Sequence, residues 1–257
     1  MHGLLITDTN CHLPKGVLNR FPIDRLTGTN GFADRLINNW LYQCDALLAV
    51  GSKRPVERWQ RLVAQHQTEF ADRRLSAQLK HPFYLRLFGS RHGYAALGIM
   101  VSTAADLLER QWHPDAIRAQ LARTETLVQH YLALPAGSAQ WHENRPSWMR
   151  RWRRTTAGVM QCQPGREQRL LSSNNPVQAL LQLSSDLAPS KVSFNLSYAG
   201  DPTSLQALTA FRDWHQGVHE RGGRCWLSAM DDASARQCGA GALSLAWISA
   251  PARRETP

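Results

Sequence analysis

The chain opens on an apolar run, Leu4-Leu5-Ile6-Thr7, that stops at a polar turn, Asp8-Thr9-Asn10. A short apolar run bounded by turn residues predicts a buried strand. Leu13-Pro14 then opens a short helix or turn. A second run, Ala46-Leu47-Leu48-Ala49-Val50, leads through Gly51-Ser52 into a helical pattern over residues 55–72. Pro55 suits a first helical turn, where its missing N–H costs little. Strand, small-residue turn and helix in this order predict a parallel α/β sheet. Residues 93–110 carry little charge and read as a helix buried on most sides; residues 114–132 read as an amphipathic helix with Ile117, Leu121, Leu127 and Val128 near one face. Pro, Gly, Ser and Asn gather in residues 135–146, which predicts a linker or lid. The last third repeats the theme. A strand at 192–197 passes through Gly200-Asp201-Pro202 into a helix at 203–220, and Arg221-Gly222-Gly223 ends that helix with a left-handed glycine. A strand at 225–230 and a final apolar segment at 242–249 follow, the latter behind Gly239-Ala240-Gly241.

Composition adds few constraints. The 257 residues are enough for one large domain or two modest ones, and 43% hydrophobic with 19% charged residues is ordinary for a globular protein. No segment reaches the roughly 18 uninterrupted apolar residues of a membrane span. The N-terminus lacks the basic leader and long apolar stretch of a secretion signal. Five scattered cysteines (Cys11, Cys44, Cys162, Cys225, Cys238), without a CxxC pair, predict reduced thiols in the cytoplasm. The last residues, 251–257, read as a frayed tail. A formal charge of +10 is carried almost entirely by arginine, since lysine stands only at 15, 53, 80 and 191. Such a field attracts anions of any kind.

The common enzymatic signatures are missing: there is no GxxxxGK[ST], no GxGxxG behind a strand and no GxSxG. His215 and His219 share a predicted helix face, but Gln216 stands where a zincin needs glutamate, so solvated histidines and no metal are expected. The sharpest local feature is segment 141–154, WHENRPSWMRRWRR. Its Arg150, Arg151, Trp152, Arg153 and Arg154, with Arg145, Trp141 and Trp148, suit a transient contact with a membrane or another anionic surface. The alternative is a helix with its tryptophans inward and its arginines solvated. Nucleic acid is disfavoured, because no reader motif accompanies the segment.

Several stretches, in order, resemble the DegV family of bacterial cytoplasmic proteins. Ile6-Thr7-Asp8-Thr9-Asn10-Cys11-His12-Leu13-Pro14 is similar to the family's opening ITDSTADLP, and Gly239-Ala240-Gly241-Ala242-Leu243-Ser244-Leu245-Ala246 is similar to its closing HxGPGALGIA. Cys44 to Val50 matches a strand position, residues 93–108 the helix after the family's second strand, and Pro164-Gly165 with residues 174–180 its hairpin and the helix behind it. The resemblance implies an α/β protein of two lobes, a parallel-sheet N-terminal lobe at 1–134 (which also receives chain from the C-terminal end) and a mixed α/β lobe at 135–257. It implies a long-chain fatty acid, with no other cofactor, in an apolar tunnel between the lobes, and in the best-understood members a partner kinase that phosphorylates the bound carboxylate. Burial of the tail is favoured by about 0.8 kcal/mol per methylene.

The departures from the family pattern fall on the head-group residues. The family's Ser-Gly-Thr falls near Pro55-Val56-Glu57, with Ser52 the nearest hydroxyl; the threonine of its TSQPSP survives as Thr27; its histidine, proline and late arginine correspond to Gln237, Ala240 and Asn174. The resemblance therefore points to Thr9, Thr27, Ser52, Asn174, Gln237 and Gly239 as head-group residues. A carboxylate in an apolar tunnel needs multiple or charge-assisted hydrogen bonds. Two alternatives stay open: an enzyme in which Asp8, Thr9, His12 and Gln237 act on a small anionic substrate, and an interaction module working through segment 141–154. For Asp8 and His12 the bland reading is a turn that caps the next helix.

Overall fold

The computed structural model describes residues 2–27, 31–79, 82–142, 157–164 and 166–249. They pack as two compact units: residues 1–11, 15–93 and 97–125 form the first, and residues 12–14, 94–96 and 126–257 the second.

The first unit is built from β1 (Gly3–Asp8), α1 (Lys15–Arg20), β2 (Ile23–Leu26), α2 (Phe32–Arg35), a π-helical turn (Leu36–Trp40), α3 (Leu41–Gln43), β3 (Ala46–Ser52), α4 (Lys53–Gln65), α5 (Gln67–Ser76), β4 (Tyr84–Ser90), α6 (Tyr94–Glu109) and α7 (Pro114–Leu127). Its four strands are all parallel, in the order β2-β1-β3-β4. The uninterrupted apolar runs of β1 and β3 have this cause: a parallel sheet is covered on both faces, so alternation disappears. Ile6, Leu47 and Ala49 join a core with Phe32, Leu36, Trp40, Val56 and Trp59 on one side. Their neighbours Leu5 and Leu48, whose side chains alternate to the other side, are equally buried.

The helix predicted over residues 55–72 is two helices. The chain leaves helical geometry at His66 (φ −110°, ψ 13°), whose N–H closes α4 on Leu62 and Val63 while its carbonyl starts α5 by accepting from Phe70. This break leaves Phe70 in the same core as Val56 and Trp59. The helix predicted to Leu132 also ends early, at Leu127. Residues Val128–Leu134 form β5 instead, because pairing on both edges outweighs local periodicity.

The second unit contains β5, a 3₁₀ turn (Ala139–His142), β6 (Gly158–Gln163), β7 (Arg166–Ser172), α8 (Pro176–Leu187), β8 (Ser193–Tyr198), α9 (Pro202–Gln206), α10 (Thr209–Glu220), β9 (Arg224–Ala229), α11 (Asp232–Cys238) and β10 (Leu243–Ile248). The sheet order is β7-β6-β5-β10-β8-β9; it is mixed, with β8 and β9 parallel and the other pairs antiparallel. From the sequence, residues 128–134 are expected in the N-terminal lobe. Here the chain passes to the second unit at Thr126, since β5 is an inner strand of the second sheet. The predicted helix 203–220 is likewise interrupted at Leu208 (φ −70°, ψ 129°), although Gly222 (φ 71°) ends it in the left-handed conformation anticipated.

One face of this sheet is apolar. Tyr131, Ala133, Phe194, Leu196, Leu243, Leu245 and Trp247 pack with Leu180 and Leu181 of α8 and with Phe211 and Trp214 of α10. The aromatic contacts are close, with Tyr131 stacked on Trp247 at 5.2 Å and Phe194 edge-on to Trp214 at 5.1 Å. The opposite face carries His130, Asn195, Ser197 and Ser244, all buried. A buried polar face on an inner sheet is costly unless every group is bonded.

Candidate ligand-binding site

In the first unit the polar residues collect at the carboxyl ends of the strands. The chain runs from β1 to β2 on one side and then to β3 on the other, so the strand order reverses between β1 and β3. In open α/β sheets, ligands bind outside the carboxyl ends at such a switch point. Asp8 ends β1 and Ser52 ends β3, and the two are joined: Ser52 N–H donates to Asp8 Oδ2 at 2.6 Å. Asn10 N–H donates to Asp8 Oδ1 at 2.8 Å, and Asn10 Nδ2 donates to Ser52 Oγ at 3.1 Å. Gly51 permits this approach, because a Cβ there would lie 2.9 Å from Asp8 Oδ2. Burial pushes the Asp8 carboxyl above its ordinary value, against the opposing pull of the Ser52 and Asn10 hydrogen bonds. The turn Asp8-Thr9-Asn10 is therefore clamped by its own aspartate, and does not cap a helix. Thr27 follows the last residue of β2, whose Leu26 stands in register with Asp8. Thr9, Thr27 and Ser52 thus lie along one sheet edge.

In the second unit, residues His12–Pro14 and Tyr94–Ala96 pack with the polar face. Asn195 Nδ2 donates to both His12 O (3.0 Å) and Ala95 O (2.7 Å). Ala95 N–H donates to Ser244 Oγ at 3.4 Å, and Ser244 Oγ also meets His130 Nε2 at 3.0 Å. The His12 ring is enclosed, with Nδ1 3.0 Å from Ser197 Oγ and Nε2 2.8 Å from Asp231 Oδ2. Asp231 is also the N-cap of α11: it accepts from Ala233 N–H at 2.9 Å, Ser234 N–H at 3.0 Å and Ser234 Oγ at 2.7 Å. Partial burial raises the Asp231 carboxyl, but hydrogen bonds from His12 and Ser234 outweigh it and hold the group well below the usual carboxylate range. Asp231 and Ser197 together meet both ring nitrogens of His12. Ser197, His12 and Asp231 superficially match a nucleophilic triad. Ser197, however, is fully buried on an inner strand.

Gln237 is the penultimate residue of α11, and Tyr94 Oη donates to its Oε1 at 3.3 Å. The Gln237 carbonyl accepts from Ser138 Oγ at 3.3 Å. Gly239 is held at φ 87°, and a Cβ there would lie 2.9 Å from Pro135 Cγ. Asn174 is exposed, and the helix cap belongs to its neighbour Asn175, which accepts from Gln178 N–H at 3.2 Å. Cys11, next to the first turn, is fully buried; burial pushes its thiol up to about 12, so it is no nucleophile at neutral pH. All five cysteines are free. His215 and His219 are exposed on α10. Arg150, Arg151, Trp152, Arg153 and Arg154 lie outside the described residues. Among the described residues no helix is long and apolar enough to cross a membrane.

Sequence reasoning missed Asn195, Ser197 and Asp231. The first two had a signal. Phe194-Asn195-Leu196-Ser197 and Leu243-Ser244-Leu245-Ala246 alternate large apolar residues with polar or small ones, which marks a strand with a distinct second face. Asp231 had the pattern of an N-cap, Asp231-Asp232-Ala233-Ser234, ahead of a short helix.

No family model matches the chain, and no curated protein matches it in sequence. Solved structures do match it along nearly its whole length. A DegV family protein from Corynebacterium glutamicum is 15% identical, with 98% of each chain covered and a TM-score of 0.73. A DegV family protein from Thermus thermophilus, described as binding fatty acid, is 14% identical, covering 97% of this chain and 100% of its own at a TM-score of 0.69. A DegV family protein from Eubacterium eligens, loaded with heptadecanoic acid, is 12% identical, covering 96% of this chain and 100% of its own at 0.69. With its four-stranded parallel sheet and six-stranded mixed sheet, the chain has the fold of the DegV family proteins.

Proposed function

We propose that this chain is a divergent DegV family member that binds a long-chain fatty acid. The observation that carries the reading is the match, over nearly all of both chains, to structures described as binding fatty acids, one of them holding heptadecanoic acid. The carboxyl edge of the first sheet supports it, since Thr9 and Thr27 directly follow β1 and β2, Ser52 ends β3, and the Asp8 turn is clamped beside them. The reading is one of binding, because the Ser197, His12 and Asp231 network is internally satisfied and its serine is buried. Presentation of the bound carboxylate to a partner kinase in the cytoplasm, and contact with anionic membranes through segment 141–154, extend the proposal on the strength of the family resemblance and the arginine and tryptophan spacing.

Titration of delipidated protein with saturated fatty acids of increasing length tests the reading. A tail entering an apolar cavity gains about 0.8 kcal/mol per methylene, so affinity should rise about fourfold per added carbon until the cavity is full. Affinity that is flat with chain length would oppose it.

A further inference from the structure

The cations near the carboxyl edge of the first sheet are not equivalent. Arg91, just past β4, donates through Nη2 to Glu125 Oε2 at 3.2 Å, and Lys53, just past β3, lies 3.9 Å from Glu57 Oε1. Arg25, on β2 opposite Thr7, is exposed and makes no ion pair among the described residues. Its Nη2 reaches past the end of β1 to the Thr9 carbonyl at 2.8 Å. That bond uses one of five guanidinium N–H donors and fixes the group beside the Asp8-Thr9-Asn10 turn. It also sets a positive charge near the buried Asp8, whose negative charge would otherwise repel an arriving anion.

We infer that Arg25 is the charged anchor of this edge, offering its remaining N–H donors to the carboxylate of the bound ligand. The inference rests on the fatty-acid reading and deepens it by assigning the head-group charge to a residue of β2. The neutral Thr9, Thr27 and Ser52 then complete the hydrogen bonding around a carboxylate whose charge the guanidinium balances. A guanidinium serves better than an ammonium here, because it holds the Thr9 carbonyl and a ligand oxygen with separate donors of one rigid plane.

The test compares palmitate with hexadecanol, which share a tail and differ in head-group charge, on delipidated wild type and on Arg25→Gln and Arg25→Lys. Arg25→Gln should weaken palmitate about ten- to hundredfold, as loss of a charge-assisted hydrogen bond does, and leave hexadecanol unchanged. Arg25→Lys should recover part of the palmitate affinity and should fold as wild type by its thermal transition. Equal weakening of both ligands would show that Arg25 only holds the Thr9 turn, and unchanged palmitate binding would show that it does not meet the ligand. Either result overturns the inference while the fatty-acid reading stands. Failure of the wild type to bind either ligand would overturn both.

Discussion

Trp59→Ala should destabilise the protein by about 3–5 kcal/mol, the range for removing a large buried aromatic. Trp59 is fully buried on α4 and stacks on Phe32, with ring centroids 5.0 Å apart and planes 10° apart. Phe32 in turn meets Trp40 edge-on at 5.6 Å, so the substitution opens a cavity between α2, α4 and the π-helical turn. Gly51 lies directly under the ring: a Cβ there would be 3.2 Å from the indole. The site consequence follows from that contact. Loss of the indole loosens β3 at Gly51-Ser52, where Asp8 is clamped, so ligand affinity should fall together with stability. Chemical denaturation of wild type and variant, read by far-UV circular dichroism, measures the first effect.

Asp231→Ala should cost about 2–4 kcal/mol at neutral pH. The variant loses the cap of α11, worth about 1 kcal/mol. It also strands a His12 ring whose side chain has no exposed surface, at about 1–3 kcal/mol for an unmet buried donor. The effect has a defined pH dependence. The folded Asp231 carboxyl is held below its ordinary value of 3.8, so its contribution is complete above that value and is lost as pH falls through the folded pKa. Wild type and variant should therefore differ fully at pH 7 and converge under strongly acid conditions. A gap that stayed constant down to the acid transition would mean that the Asp231 charge is not what holds His12.

Much of the fold was legible because it rests on local signals. The buried runs at Leu4-Leu5-Ile6 and Ala46-Leu47-Leu48, the turn at Gly51-Ser52 and the left-handed Gly222 each report one physical requirement of a few adjacent residues. The errors occurred where partners distant in sequence decide. Val128 continues the apolar stripe of α7, yet pairing with Ile248 across the second sheet turns it into strand. The exposed β7 offers no alternation at all, so only the family resemblance suggested its hairpin. The site divides in the same way. Thr9 and Ser52 are named by the family resemblance, and in the structure Thr9 follows β1 and Ser52 ends β3. Asp231 could be read only as a helix cap, because its contact with His12 joins residues 219 positions apart.

The most direct test of acyl binding is native mass spectrometry of protein purified without detergent or added lipid, followed by organic extraction of the same sample. The expected result is a bound species heavier than the polypeptide by one long-chain fatty acid, and release of that acid into the extract. A spectrum showing only the bare polypeptide, with no acyl chain extracted, would contradict it.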